Sequence, residues 1–234
     1  MRKILVLLMI VCLLPVLCSC DSLKLSYGFH RLSTESYTMQ GTVKVKMMME
    51  YNSFMYSDEA TMDVLIQSNP NEFYSEAKID DVVQKTYAKI NEENSNEVLI
   101  YNFNGYTWSK ETKTKEEYLE ESESYFLDIE VDETFKYQDG IYVGDVELIT
   151  NMLDKYIDKL TEDLVGTGST FESFRVSKYY IEMDKLDISK LDIEMILRVK
   201  SSGYPVTVTM SMPLEVSNVG STTINVPSGL ETIK

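Results

Sequence analysis

Cysteine and histidine are nearly missing from this chain of 234 residues. The three cysteines, Cys12, Cys18 and Cys20, all lie in the first 20 residues, and His30 is the only histidine. The rest of the chain therefore offers no disulfide, no cysteine nucleophile and no thiolate metal site. A Ser-His-Asp triad or a multi-histidine zinc site has almost nothing to be built from. We expect no catalytic residue, no metal site and no cofactor.

Positive charge is also scarce. Lysine and arginine number 22 against 38 acidic residues, which gives a formal net charge of −16. Such an acidic surface argues against nucleic acid or anionic headgroups as electrostatic partners. Adjacent carboxylates such as Asp80-Asp81 and Glu116-Glu117 are expected by chance among so many acids, so we interpret them as solvated faces rather than as the paired carboxylates of a hydrolase. The chain is expected not to be an enzyme.

The first 20 residues have the pattern of an export signal. A basic end, Arg2 and Lys3, precedes an apolar block from Ile4 to Leu17 that is short for a stable membrane span. The block ends at Leu17-Cys18-Ser19-Cys20, which resembles the bacterial lipobox. That resemblance implies that residues 1–19 are a lipoprotein signal peptide and that the Cys20 thiol carries a diacylglyceryl group. An ordinary secretory signal, or an uncleaved membrane anchor, is the alternative.

The segment after Cys20 predicts a tether. Residues 20–40 are polar and lack sustained periodicity, so we expect a loosely ordered, lipid-anchored connection with His30 in an exposed loop. Each methylene buried in the bilayer contributes about 0.8 kcal/mol, so two acyl chains hold a protein on a membrane almost permanently. Residues 41–234 are long enough for one sizeable core, and we expect a single domain there. The protein would lie on the extracytoplasmic face of a bacterial cell membrane.

Most of the chain after Gly41 has the two-residue period of half-buried strands. Turn signals separate these strands at intervals of about ten residues, which is typical of an antiparallel meander. The final stretch, Gly220 to Pro227, predicts one more short edge strand. The apolar faces are formed by Val43, Val45, Met47 and Met49, by Met62, Val64 and Ile66, by Ile193, Met195, Leu197 and Val199, and by Val206, Val208, Met210 and Met212.

The clearest local signal is an aromatic hairpin. Asn104-Gly105 stands between two strand-prone runs and predicts a type I′ turn between strands at 97–103 and 106–112. Trp108 is the only tryptophan, and its spacing from Tyr106 places both rings on one face of the second strand. Residues 111–123 predict a solvated loop or a short exposed helix.

One amphipathic helix is predicted over residues 146–165. Asp145 and Glu147 lie near its start, and Gly166 and Gly168 provide its end. One side of this helix is apolar and must be covered by sheet: Ile149, Met152, Leu153, Tyr156, Ile157, Leu160 and Leu164.

Taken together, these segments resemble the LolA-like superfamily of envelope lipid carriers, in particular lipid-anchored proteins of the LppX and LprG type and their Gram-positive relatives. The residues that carry the resemblance are Gly41-Thr-Val-Lys-Val, Tyr101 through Gly105 to Trp108-Ser-Lys110, Gly203-Tyr-Pro-Val-Thr-Val-Thr-Met210 and Thr223-Ile-Asn-Val-Pro227. It implies an α+β, mostly β fold: a strongly curved antiparallel sheet, or half-open barrel, packed around one or a few helices. In that family an apolar cavity between sheet and helices holds acyl chains.

Two functions follow. The first is a membrane-anchored lipoprotein that binds or transfers a lipid or acyl chain in the concave face of its sheet, because one helix of about 30 Å shields only part of a sheet of eight or more strands. The remaining apolar surface would be closed by curling of the sheet, by residues 111–145 or by a ligand. The alternative is a structural or protein-interaction lipoprotein of the cell envelope without a small-molecule ligand. The candidate lining is Val45, Met47, Val64, Ile66, Tyr101, Trp108, Met152, Tyr156, Val208 and Met210.

Overall fold

The structure is a computed structural model that describes residues 21–51, 54–122, 131–154 and 169–233. The predicted signal peptide and Cys20 lie outside these ranges. So does the predicted helix from residue 155 onward, including Tyr156. Within the described ranges, no helix has the length and apolar character needed to cross a bilayer.

A single antiparallel sheet of 11 strands runs through both halves of the chain. Its spatial order is β6-β5-β4-β3-β2-β1-β11-β10-β9-β8-β7. The strands are β1 (Tyr37–Tyr51), β2 (Phe54–Asn69), β3 (Glu72–Ile79), β4 (Val82–Ile90), β5 (Glu97–Phe103), β6 (Trp108–Thr114), β7 (Phe135–Gln138), β8 (Ile141–Gly144), β9 (Ser169–Asp184), β10 (Asp187–Ser201) and β11 (Tyr204–Ser217).

The first and last strands lie side by side at the centre of the sheet. β1 pairs with β2 on one side and with β11 on the other, so two meanders become one sheet. Gly41 lies opposite Leu214, and a Cβ on Gly41 would come within 2.2 Å of the Pro213 carbonyl oxygen, so the central pair needs glycine here. The sheet is curved and does not close. The predicted fold class, a mostly β protein with a curved antiparallel sheet and a few helices, is confirmed.

Strand alternation divides the sheet into two faces with different coverings. On the face that we call the helix face, Met39 and Val43 of β1 pack with Ile193 of β10 and with residues of the described helices. On the opposite face, which we call the tail face, Tyr74, Tyr87 and Tyr101 pack with residues from the C-terminal segment. The registers of β1, β10 and β11 place alternate residues on each face, as the two-residue period predicts, whereas the β9-β10 pair has three register shifts that interrupt the alternation.

In the part of the chain that the structure describes, four α-helical segments and one 3₁₀ helix (Leu230–Thr232) accompany the sheet. The α-helical segments are α1 (described at residues 21–34), α2 (Lys115–Ser122), α3 (Val131–Thr134) and α4 (Val146–Asp154). α2 begins with a capping box, because Thr114 Oγ1 accepts from the Glu117 amide at 3.2 Å and Glu117 Oε2 accepts from the Thr114 amide at 2.9 Å. The predicted short helix is therefore present at 115–122, whereas residues 111–114 belong to β6.

The prediction of a loosely ordered tether is wrong for residues 21–40. Residues 21–34 are helical, and Leu25, Phe29 and Leu32 are buried in the main core. Their spacing of four and three residues places them on one side of a helix, which gives α1 an apolar stripe against the sheet. The Arg31 guanidinium bonds to Glu35 and Asp187, and so joins the helix end to β10. His30 is exposed, as predicted, but it lies on this helix.

The aromatic hairpin forms, but its turn differs from the prediction. Asn104, Gly105, Tyr106 and Thr107 form a four-residue loop, so β6 begins at Trp108 and Tyr106 is 84 % exposed in the loop. The Asn104 carboxamide oxygen accepts from the backbone amides of Tyr106 at 3.1 Å and Thr107 at 3.0 Å. This side-chain turn replaces the type I′ geometry. Two-residue turns with positive φ at both positions occur instead at Asp139-Gly140 and Ser202-Gly203.

α4 confirms the start of the predicted amphipathic helix. The Asp145 carboxylate caps it by accepting from the amides of Glu147 at 3.1 Å and Leu148 at 3.2 Å. Ile149 and Leu153 are buried in the main core, on the side that the apolar arc predicts. The Thr150 hydroxyl accepts from the Val176 amide at 2.9 Å, which fixes α4 against β9.

Candidate functional site

The candidate site lies on the helix face, where the longest strands run past the described helices. β1, β2, β9, β10 and β11 have 14 to 16 residues, whereas the other strands have 4 to 9. α1 packs near the β9-β10 turn, where Gly28 approaches Met183 and Ile188. α4 contacts β9 at Val176. The five long strands therefore carry their apolar alternation beyond the contacts of these two helices, towards the β1-β2 and β10-β11 turns.

The structure brings most of the predicted lining residues together on this face. Val45 lies opposite Met210, and Met47 lies opposite Val208, across the β1-β11 pair. Val64 and Ile66 lie on the neighbouring strand β2, opposite Gly41 and Met39. Val45, Val64, Ile66, Met152 and Met210 are only half-buried against the main core, and Met47 remains 45 % exposed.

Two predicted lining residues lie on the other side of the sheet. Tyr101 is buried in the tail-face cluster, and Trp108 packs at its edge. The β5-β6 register keeps both side chains on the tail face, because Tyr101 lies opposite Lys110 and Phe103 lies opposite Trp108. They therefore cannot line one pocket together with Val45 and Met210. Tyr156 lies outside the described residues.

The C-terminal segment covers the aromatic cluster of the tail face. Ile224 and Leu230 are buried against the tyrosine rings, and Ile233 packs beside them. The Asn225 amide donates to the Gln67 carboxamide oxygen at 2.8 Å. Residues 222–227 are not in a strand, so the prediction of an edge strand at the end of the chain is wrong. The segment instead crosses the sheet and covers its aromatic cluster.

Two tyrosine hydroxyls bond to carboxylates on the tail face. Tyr74 donates to Glu76 at 2.5 Å, and Tyr87 donates to Glu72 at 2.6 Å. Burial, helped by these hydrogen bonds, raises the pKa of both tyrosines. The hydrogen bond from Tyr74 lowers the pKa of Glu76. Both of these hydroxyls are hydrogen-bonded and the chain end covers the cluster, so we interpret it as stabilising the fold.

The described residues show no arrangement for metal binding. Within residues 21–51, 54–122, 131–154 and 169–233, no group of three or more His, Cys, Asp or Glu side chains is placed to hold an ion. Among the described side chains, every buried nitrogen or oxygen atom has a hydrogen-bond partner. The expectation that the chain is not an enzyme stays a prediction.

Two further features were missed by reasoning from the sequence. The first residues of β2 carry large exposed side chains, with Phe54 and Met55 each 68 % exposed and Tyr56 54 % exposed. Separately, a recess of about 110 Å³ opens beside β9 and β10, and two arginines, Arg175 and Arg198, line it. The sequence contains one signal that could have pointed to this recess, namely that arginine is rare. The chain has only Arg2, Arg31, Arg175 and Arg198.

Comparison with known proteins gives weak likenesses only. No family model matches the chain, and no curated protein matches its sequence. The ywiB protein from Bacillus subtilis has a TM-score of 0.25 at 13 % identity, with 80 % of this chain and 98 % of that chain covered. A DUF1329 family protein from Desulfovibrio piger has a TM-score of 0.30 at 9 % identity over 92 % and 98 % of the two chains. A porin-like protein from Bacteroides uniformis has a TM-score of 0.14 at 8 % identity over 76 % and 96 %. TM-scores this low carry no argument about function.

Proposed function

We propose that the protein is a lipid-anchored, extracytoplasmic lipoprotein that holds an apolar ligand, such as an acyl chain, on the helix face of its sheet. The carrying observation is the apolar stripe of Val45, Met47, Val208 and Met210 on the two central strands, in which Met47 is exposed and the other three are half-buried. The stripe lies at the centre of the helix face and keeps part of its apolar surface exposed, and an acyl chain laid along it would cover that surface. Methionine suits irregular acyl chains because its unbranched thioether adapts its shape.

The anchor is the second part of this proposal. Cys20 directly precedes α1, whose first described residue, Asp21, accepts a hydrogen bond through its carbonyl oxygen from the Tyr142 hydroxyl at 3.1 Å. An acylated Cys20 would thus hold the folded sheet close to the bilayer, with no long tether between them. This placement favours exchange of a lipid between membrane and protein. The LolA-like resemblance remains part of the proposal.

A binding assay with a fluorescent fatty acid tests the ligand. We expect saturable binding to the detergent-purified chain, and we expect Met47→Glu to weaken it at least about tenfold, because a carboxylate next to an acyl chain must be desolvated. Met48→Glu is the matched control, since Met48 is the next residue and lies on the tail face. Equal binding by both variants would show that the stripe is not the site. Trp108 is not a suitable reporter, because it lies on the tail face.

The exposed start of β2 favours a second candidate function, a contact with another envelope protein. Phe54, Met55 and Tyr56 expose large apolar groups at the start of β2. The Tyr51 ring, on the residue paired with Phe54, packs on Tyr204 with ring centroids 4.6 Å apart. Aromatic residues and methionine are enriched at protein interfaces. Cross-linking from position 55 in intact cells would separate the candidates. A single protein adduct that disappears in Phe54→Ser would favour the interaction role.

A further inference from the structure

We propose that Arg175 and Arg198 form a binding site for a phosphate-type oxyanion on the tail face of β9 and β10. The two side chains line one recess with Ser173, Phe174 and Ile196, and its volume is about 110 Å³. A recess of that size exceeds the ~30 Å³ share of one water molecule but is smaller than the ~300 Å³ of a typical drug-sized site. It has room for a small anion and not for a whole lipid.

The strand register explains why the two guanidinium groups are neighbours. Ser173 lies opposite Arg198, and Arg175 lies opposite Ile196, so the two arginines occupy diagonal positions on one face. Diagonal neighbours across an antiparallel pair are about 7–8 Å apart, within reach of long side chains. Two cations in such positions repel each other unless an anion lies between them.

No carboxylate of the described chain neutralises this pair. Arg175 and Arg198 are both exposed, and neither lies in a salt bridge with a described acidic residue. The acidic side chains nearby on the same two strands have partners of their own: Glu194 accepts from Ser177 at 2.6 Å, Asp192 from Lys178 at 2.5 Å and Glu172 pairs with Lys200 at 2.8 Å.

The composition makes this pair unusual. Beyond the predicted signal the chain has three arginines, and Arg31 is bound to Glu35 and Asp187. The remaining two share one recess in a protein with a net charge of −16. Arginine offers a planar fork of donors that matches the oxygens of phosphate.

Two threonines on the neighbouring strand β11 lie opposite the recess residues of β10. Thr207 of β11 lies opposite Arg198, and Thr209 lies opposite Ile196. Together with Ser173, they add neutral donors around the arginine pair. The overall acidity of the protein argues against a general attraction to anions. The site would therefore select its anion through the hydrogen-bond donors of the two arginines rather than through net charge. A phosphodiester of a lipid headgroup and a free phosphate ion share this chemistry.

Calorimetric titration of the full chain in nonionic detergent tests the proposal with two soluble probes, inorganic phosphate and glycerophosphoglycerol, the deacylated headgroup of phosphatidylglycerol. We expect Arg175→Gln and Arg198→Gln each to weaken binding about tenfold or more, the effect of losing one charge-assisted hydrogen bond. Arg198→Lys keeps the charge and loses the fork, so it should bind between wild type and Arg198→Gln. Lys136→Gln on β7, an exposed lysine without a described ion pair, removes the same charge elsewhere and should bind as wild type does.

Each outcome decides the proposal. Arginine-dependent binding of glycerophosphoglycerol alone assigns the site to a lipid headgroup, and arginine-dependent binding of phosphate alone assigns it to the free ion. Absence of binding by both probes, or an equal loss in Lys136→Gln, overturns the site. Because the recess is on the tail face, Met47→Glu should leave this titration unchanged, so failure here and failure of the proposed apolar site are distinguishable.

Discussion

Replacing Leu25 by alanine should destabilise the whole protein, although Leu25 lies in a segment whose composition resembles a tether. The side chain is 0 % exposed and packs in the main core with Phe29 and Leu32. Deleting a fully buried leucine costs its transfer free energy and leaves a cavity, a total of about 2–5 kcal/mol. That is a large part of the roughly 5–15 kcal/mol that stabilises a whole domain.

The same helix offers a matched control. Leu23→Ala makes the same chemical change at a residue that is 65 % exposed, so it should alter the free energy of unfolding by less than about 0.5 kcal/mol. For a domain of this size, 3 kcal/mol corresponds to a fall in Tm of about 6–12 °C. Urea unfolding followed by circular dichroism measures both variants. Equal stabilities of Leu25→Ala and Leu23→Ala would refute the claim that α1 belongs to the core.

Four further predictions follow from other contacts. Gly41→Ala should lower the free energy of unfolding by about 1–3 kcal/mol or more, because its Cβ would meet backbone at 2.2 Å. Gly28→Ala meets the flexible end of Met183 at 2.9 Å and should cost less in the same urea unfolding. Removing residues 222–234 should shift Trp108 emission to the red by exposing the ring, and unchanged emission would contradict the packing of Ile224 and Leu230 on the cluster. The lowered pKa of Glu76 stabilises the fold above the ordinary value of 4.5, so stability should fall as the pH drops through the lowered pKa, and less so in Tyr74→Phe. Burial raises the pKa of Tyr142 to about 12, so the free energy of unfolding should fall as the pH rises from 10 towards 12. Comparing the tyrosinate absorbance of the wild type with that of Tyr142→Phe checks the assignment to this residue.

The strands could be read from the sequence because their signal is local. Val43, Val45 and Met47 alternate with lysines, and the structure places them on one face of β1. The start of α4 was equally visible, since its cap at Asp145 and its apolar arc lie within a few residues. These patterns depend on neighbours in the chain, and no distant contact had to be known.

The predictions that the structure contradicts have a different cause. Each concerns a feature that depends on contacts between residues far apart in the sequence. The sequence predicts a tether where α1 lies, because three apolar residues in a polar stretch give no local sign of a helix. They form a buried stripe only because the β9-β10 turn supplies their partners, Met183 and Ile188. At Asn104 the local sequence favours a tight two-residue turn. The structure has a four-residue loop instead, which keeps Phe103 opposite Trp108 with their rings 5.2 Å apart. Trp108 was assigned to the wrong face because two-residue periodicity places residues on alternate faces without saying which face a helix covers.

The central claim is that the helix face holds an apolar ligand, and native mass spectrometry of the protein as purified from its own membrane tests it most directly. The account predicts a covalent mass on Cys20 together with a second, non-covalent lipid mass that is lost in Met47→Glu and retained in Met48→Glu. A wild-type protein with no non-covalent lipid, or a lipid mass that persists equally in both variants, would contradict it.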